Sequence, residues 1–177
     1  MRYRTHLAAT LAISLPVMVS SESLSAGSLS FAALGAVFPD IDEPNSYIGR
    51  RMIGISNSMK VVFGHRGLTH SLTGLIAVTF FFYLGHTTFG LPLELVHWFA
   101  FGYLAHLIED SFSKKGIAWL QPLSKKRFQS GFNRIYYNTG GIIENILFVT
   151  ATLILIQEVL QLNFSDFSFE YINQFLH

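Results

Sequence analysis

At 177 residues the chain is about one domain long, and half of it is hydrophobic, only 13% is charged, and the mean hydropathy is +0.40. That balance excludes an ordinary soluble domain, and seventeen Phe with seven Tyr fit a lipid-facing protein with aromatic belts. There is no cysteine, so disulfides and thiolate ligands are excluded and any metal must be held by imidazole and carboxylate.

Five apolar stretches follow one another, at residues 5–20, 24–38, 68–85, 91–108 and 142–162. A spanning helix needs about 20 apolar residues, with about 17 a practical minimum. The fifth stretch qualifies outright, and the third and fourth are adequate. The first two are short and the first carries Pro16, so they read as a thin hairpin joined by Ser21, Glu22 and Ser23. Small residues (Gly27, Ser28, Ser30, Ala32, Ala33, Gly35, Ala36) run through the second stretch, as close helix packing in a membrane favours. Pro92 opens the fourth helix, where proline is tolerated in the first turn. The expected fold is an all-α integral membrane bundle of about five transmembrane helices, a single domain over residues 1–177.

Polar segments 40–67 and 111–141 interrupt this pattern. The first, with Pro44, Asn45, Ser46 and several glycines, reads as an ordered loop. The second is basic and carries Trp119, Tyr136 and Tyr137, suited to a membrane interface. All twelve Lys and Arg fall on one side of the five-helix threading: Arg2 and Arg4 before the first stretch, Arg50, Arg51, Lys60 and Arg66 after the second, and Lys114, Lys115, Lys125, Lys126, Arg127 and Arg134 after the fourth. The opposite loops and the tail hold Glu22, Glu94, Asp166 and Glu170 without a cation. The positive-inside rule makes the basic side cytoplasmic and puts the C-terminus outside. Basic loops beside an anionic inner leaflet call for no nucleic-acid partner. A cleaved signal peptide at the N-terminus is the competing reading, and it would remove His6 and invert everything behind it.

The chemistry-bearing residues cluster on the basic side. His106 and Asp110, spaced i, i+4, share one helix face with Cβ atoms about 5–6 Å apart, so one cation can reach both. The competing reading leaves Asp110 in solvent and bonds His106 to a backbone carbonyl. Asp40 and Asp42 end the second helix, where acids oppose the helix dipole and call for a cation, either a metal or one of Arg50, Arg51 and Arg66. Entering the third helix, His65, Arg66 and His70 suit a site that binds metal and anion together, with Thr69 available as a helix cap. His70 is the better ligand of the two histidines. His6 and Glu144 complete a ring in which each helix supplies a ligand type at one depth. An interfacial histidine and a helix-start carboxylate are the plainer readings of those two. His86 and His97 lie away from the ring and are expected to be structural.

A His/Asp site without thiolates suits zinc, manganese or iron(II), as one or two ions, with Asp110 the natural bridge. The expected ligands are therefore His6, Asp40, His70, His106, Asp110 and Glu144, with Arg66, Asp42 and His65 as candidate catalytic residues beside them.

Taken together, His6, the run Pro39-Asp40-Ile41-Asp42, the run from His65 to Ser71, and Gly102-Tyr103 followed by His106 and Asp110 resemble the YdjM-type family. That family is described as LexA-binding, inner-membrane-associated metal-dependent hydrolases, and the resemblance covers roughly residues 1–145. The ligand order is also similar to that of the zinc-dependent phospholipase C and P1-nuclease superfamily. This more distant likeness implies that Asp40, His70, His106 and Asp110 hold one metal, and His6 with Asp110 a second. No further His pair follows Asp110, so a third metal is not expected. The resulting expectation is a multi-pass inner-membrane hydrolase that cleaves a phosphoester, such as a membrane phospholipid, at the cytoplasmic face. Water would attack while Arg66 steadies the charge on the phosphoryl oxygens. A metal-ion transporter and a non-catalytic metal-binding membrane protein are the alternatives.

Overall fold

The computed structural model describes residues 1–42 and 68–162, and over these the chain is all-α. Its helices are α1 (Tyr3–Ser20), α2 (Ala26–Val37), α3 (Leu72–Phe89), α4 (Leu93–Ser111) and α5 (Ile142–Gln161). Each apolar stretch thus becomes one helix. Short 3₁₀ turns extend α2 (Phe38–Asp42) and precede α3 (Leu68–His70). Ser25 caps α2, accepting from the Ser28 amide at 3.0 Å. The cap of α3 is Ser71, which accepts from the Gly74 amide at 3.1 Å, and not Thr69 as the sequence suggests. The 3₁₀ turn delays the helix start to Leu72, leaving Thr69 and His70 in front of it. Gly90 ends α3 at φ 73°, a left-handed conformation that costs glycine nothing.

Among the described residues, α3 and α5 are the two helices long and apolar enough to cross a membrane. The 12 residues of α2 rise only about 18 Å against a hydrocarbon core of about 30 Å. The other two helices have the length but are interrupted by polar groups. Thr5, His6, Thr10 and Ser14 in α1, and His106 and Asp110 in α4, are all buried inside the bundle. The outer helices show the reverse pattern. Phe81 on α3 is 70% exposed and Leu160 on α5 is 80% exposed, an apolar face suited to lipid.

The heart of the bundle is the α2–α4 contact, the most extensive between any two described elements. A Cβ added at Gly35 would lie 2.1 Å from the Phe99 carbonyl oxygen, and one at Gly102 would lie 2.1 Å from that of Ala32. The two backbones therefore touch through glycine, as the small-residue run in α2 leads one to expect. Leu15, Met18, Leu24, Ala32 and Trp98 fill one end of the core. Phe99, Tyr103, Leu107 and Ile117 fill the other, nearer the basic segment. Residues 112–141 form an irregular loop pinned by isolated bridges between Ser113 and Tyr137 and between Ile117 and Phe128. The Leu72 amide also donates to the Trp119 carbonyl at 3.0 Å, fastening this loop to the start of α3.

The helix ends alternate. The starts of α1, α3 and α5 meet the ends of α2 and α4 at one end of the bundle, through contacts such as Arg2 with Glu144 and His106 with Ala36. At the other end, Ser28 at the start of α2 donates to Glu94 at the start of α4 at 2.9 Å.

Candidate metal centre

Five of the six expected ligands converge at the first of these ends. The ligand atoms of His6, His106 and Asp110 all lie within 4.8 Å of one another, and so do those of Asp40, His70 and His106. The two groups share His106. All four residues other than Asp40 are fully buried.

Three imidazoles each meet a polar partner at Nδ1: a carbonyl, a carboxylate and a hydroxyl. His106 Nδ1 lies 2.7 Å from the Ala36 carbonyl oxygen, which can only accept, so Nδ1 carries the proton and Nε2 keeps its lone pair. His6 Nδ1 lies 2.5 Å from Glu109 Oε2, and that carboxylate is steadied by Thr10 Oγ1 at 3.2 Å from Oε1. His70 Nδ1 lies 3.3 Å from Thr69 Oγ1. Each ring is thus anchored through Nδ1 and offers Nε2 to the cluster, the arrangement metal-ligating histidines ordinarily show. The competing reading of His106 as a carbonyl-bonded histidine is half right: the bond exists, but it orients the ring and leaves the other nitrogen for the cluster.

The spacing of the inward atoms suits tetrahedral coordination. Bonds of about 2.0–2.1 Å set neighbouring ligand atoms about 3.4 Å apart. His6 Nε2 is 3.4 Å from Asp110 Oδ1, His106 Nε2 is 3.4 Å from His70 Nε2, and His70 Nε2 is 3.6 Å from Asp40 Oδ1. His6 Nε2 is buried and makes no hydrogen bond, an expense a bound cation would remove. Asp110 faces both groups, with Oδ1 toward His6 and Oδ2 3.8 Å from His70 Nε2. A single Nε2 lone pair on His106 serves one ion, so a second ion would depend on Asp110 as the bridge. The residues present fit one or two divalent cations.

Neighbouring groups balance the carboxylates. The Met1 ammonium and the Tyr137 hydroxyl both donate to Asp110 Oδ1, the latter at 3.0 Å. Burial alone would raise the Asp40 carboxyl, but the imidazoles of His70, His106 and His6 around it would, when protonated, hold it well below the usual carboxylate range.

Glu144 is the expected ligand that stays out of the cluster. It accepts from the Arg2 amide at 2.5 Å, from Thr5 Oγ1 at 3.3 Å, and from the Gly140 amide. Its Oε1 serves the start of α1, where unpaired amides and the positive end of the dipole favour a carboxylate, and its Oε2 accepts from the Gly140 amide just before α5. Of the expected catalytic residues, His65 and Arg66 lie outside the described residues, and Asp42 ends the 3₁₀ turn beside Asp40. His86 sits at the opposite end, with Nδ1 2.7 Å from the Leu91 carbonyl oxygen, and His97 is exposed on α4. The sequence does not single out Glu109, and Tyr137, which reads there as an interface residue, is instead buried with its hydroxyl on Asp110. The signal for Glu109 was its position three residues after His106, which turns it to the same face of α4.

Comparison with known proteins gives this arrangement a family. The YdjM inner membrane protein family matches residues 1–164, which is most of the chain and every residue of the cluster. The chain belongs to that family. It is 37% identical to the inner membrane protein YdjM of Escherichia coli strain K12 over 92 residues, 51% of this chain and 47% of that protein. The same figures hold for YdjM of Shigella flexneri. The matched region thus spans about half the length of these curated relatives. A third relative, the uncharacterized protein YvsG of Bacillus subtilis strain 168, is 34% identical over 121 residues, 68% of this chain and 71% of that protein. No solved structure matches. The family places the chain in the cell inner membrane, and its apolar composition and outward-facing apolar helices agree with a membrane location.

Proposed function

We propose that the chain is a membrane-bound, metal-dependent hydrolase of phosphoesters, with His6, Asp40, His70, His106 and Asp110 as its ligands. The observation that carries this reading is the set of three imidazoles, each anchored through Nδ1 and each turning Nε2 toward two carboxylates at one end of the bundle. A divalent ion, zinc by the chemistry of the donors, would supply Lewis acidity and activate water there. Glu109 orients His6, Ala36 orients His106, and Tyr137 steadies Asp110. Arg66, from the segment that leads into His70, is the candidate group for holding the phosphoryl oxygens, and His65 and Asp42 are the further catalytic candidates. The similarity in ligand order to the zinc-dependent phospholipase C superfamily supports a phosphoester, and the inner membrane offers phospholipid as the nearest one.

The alternating helix ends support a five-segment bundle, with α3 and α5 crossing fully and α1, α2 and α4 lining its interior. The distribution of Lys and Arg supports a cytoplasmic site and an outer C-terminus. A transporter would hold its ligands near mid-bilayer on broken helices, whereas these sit at one end. The test is hydrolysis of phospholipids and of small phosphodiesters by purified protein supplied with zinc, with Asp110→Ala as the paired variant. Turnover by the wild type and none by Asp110→Ala is expected. Zinc flux into proteoliposomes, with every phosphoester left intact, would replace this reading with transport.

A further inference from the structure

Residues 111–141 hold six of the twelve cations and no Asp or Glu. Lys114, Lys115, Lys125, Lys126 and Arg134 are exposed. A solvated basic loop would carry polar side chains between its charges. This one instead exposes Leu123 at 90%, Phe132 at 79% and Ile135 at 73%.

The apolar side chains are presented by a built turn. Residues 131–135 close on themselves, with the Arg134 and Ile135 amides donating to the Gly131 carbonyl at 2.9 and 3.1 Å. Gln129 braces the turn from both sides: its Oε1 accepts from the Asn133 amide at 2.7 Å, and its Nε2 donates to the Ile135 carbonyl at 2.9 Å. Only glycine fits at position 131, where a Cβ would lie 1.8 Å from the Ile135 carbonyl oxygen. Phe132 and Asn133 are held at φ 52° and 59°, a region a bulky residue enters only where its surroundings impose it. The chain then enters α5, a helix long and apolar enough to cross the bilayer, whose first turns expose Ile142, Ile143 and Ile146.

We infer that this loop is a binding site for anionic phospholipid headgroups, with Phe132, Ile135 and Leu123 seated in the bilayer interface and the lysines on the phosphates above them. Charge selects the ligand, because six cations without a carboxylate match a negative lipid surface. The loop leads directly into α5, a helix long and apolar enough to span, so its exposed apolar side chains stand near a membrane-crossing segment. The loop is also tied to the buried cluster, since two residues beyond Ile135 the Tyr137 hydroxyl donates to Asp110 Oδ1. Anionic headgroups are thereby gathered within one short segment of the ligands.

The chain has no cysteine, so single labels are clean. Phe132→Cys and Leu123→Cys, each carrying an environment-sensitive fluorophore, are reconstituted in phosphatidylcholine with and without phosphatidylglycerol. Phe81→Cys on α3 reports an intact, lipid-embedded bundle in every sample. Blue-shifted emission and quenching by spin-labelled lipid are expected at both loop positions when phosphatidylglycerol is present. Each cation near the surface is worth about five-fold in partitioning. Lys115→Gln, Lys125→Gln and Lys126→Gln combined should therefore raise the phosphatidylglycerol fraction needed for half-maximal shielding several-fold. Arg127 is left alone, because its guanidinium bonds the Lys115 and Gly116 carbonyls and holds the loop together. Solvent-like emission in both bilayers, or shielding indifferent to phosphatidylglycerol, would overturn the inference. Shielding that rises with protein concentration at fixed lipid would assign the patch to a second copy of the chain and overturn it equally.

Discussion

Gly35→Ala tests whether the α2–α4 contact sets the geometry of the cluster from a distance. The new Cβ would stand 2.1 Å from the Phe99 carbonyl oxygen and 2.8 Å from the Tyr103 amide nitrogen. That is about 1.4 Å inside the roughly 3.5 Å at which such atoms attract. Backbone lies on both sides, so no rotamer relieves the clash and the helices must part. The bond from His106 Nδ1 to the Ala36 carbonyl, 2.7 Å now, crosses that same interface one residue away and would open beyond hydrogen-bonding range. Overpacking costs about 1–3 kcal/mol, and the lost bond adds about 1 kcal/mol. Unfolding in detergent micelles should show a loss of about 2–4 kcal/mol, accompanied by weaker zinc binding. Gly85→Ala is the matched control, because its Cβ would meet only Leu91 Cδ2 at 3.8 Å. It should be neutral or stabilising by about 0.4–1 kcal/mol. Equal effects from the two substitutions, or normal zinc affinity in Gly35→Ala, would refute the reasoning.

Glu109→Gln should weaken zinc binding about 10–100-fold without unfolding the bundle, because it removes the carboxylate that orients His6. An unchanged zinc isotherm would remove Glu109 from the account. Glu144→Gln should lower stability by about 1–3 kcal/mol, since an amide cannot accept from both the Arg2 and Gly140 amides. Its metal content, measured by elemental analysis, should match the wild type, and a loss there would return Glu144 to the ligand set.

The helices and the gathering of His6, Asp40, His70, His106 and Asp110 at one end of the bundle were legible in the sequence for one reason: apolar length and ionisable residues are one-dimensional signals. The i, i+4 spacing of His106 and Asp110 survives directly as a shared face. The small residues of α2 likewise foretold a backbone contact, here through Gly35 and Gly102. What a carboxylate bonds is a three-dimensional matter, so Glu144 read as a ligand although its oxygens bond the start of α1 and the Gly140 amide. Glu109 went unnoticed beside Asp110, although its side chain anchors His6. Thr69 read as a cap because nothing local announces the 3₁₀ turn that hands that task to Ser71. Of the five expected crossings, α3 and α5 have the length and apolarity to span by themselves. Length and hydropathy do not show that the polar stripes of α1 and α4 face each other inside the bundle.

The most direct test of the metal centre is the metal content of purified wild-type protein beside Asp110→Ala, with His97→Ala as the reference for substitutions away from the cluster. One or two divalent ions per chain are expected in the wild type and in His97→Ala, with most of that metal gone from Asp110→Ala. A wild-type protein that carries no divalent metal and takes up none from micromolar zinc would contradict the account.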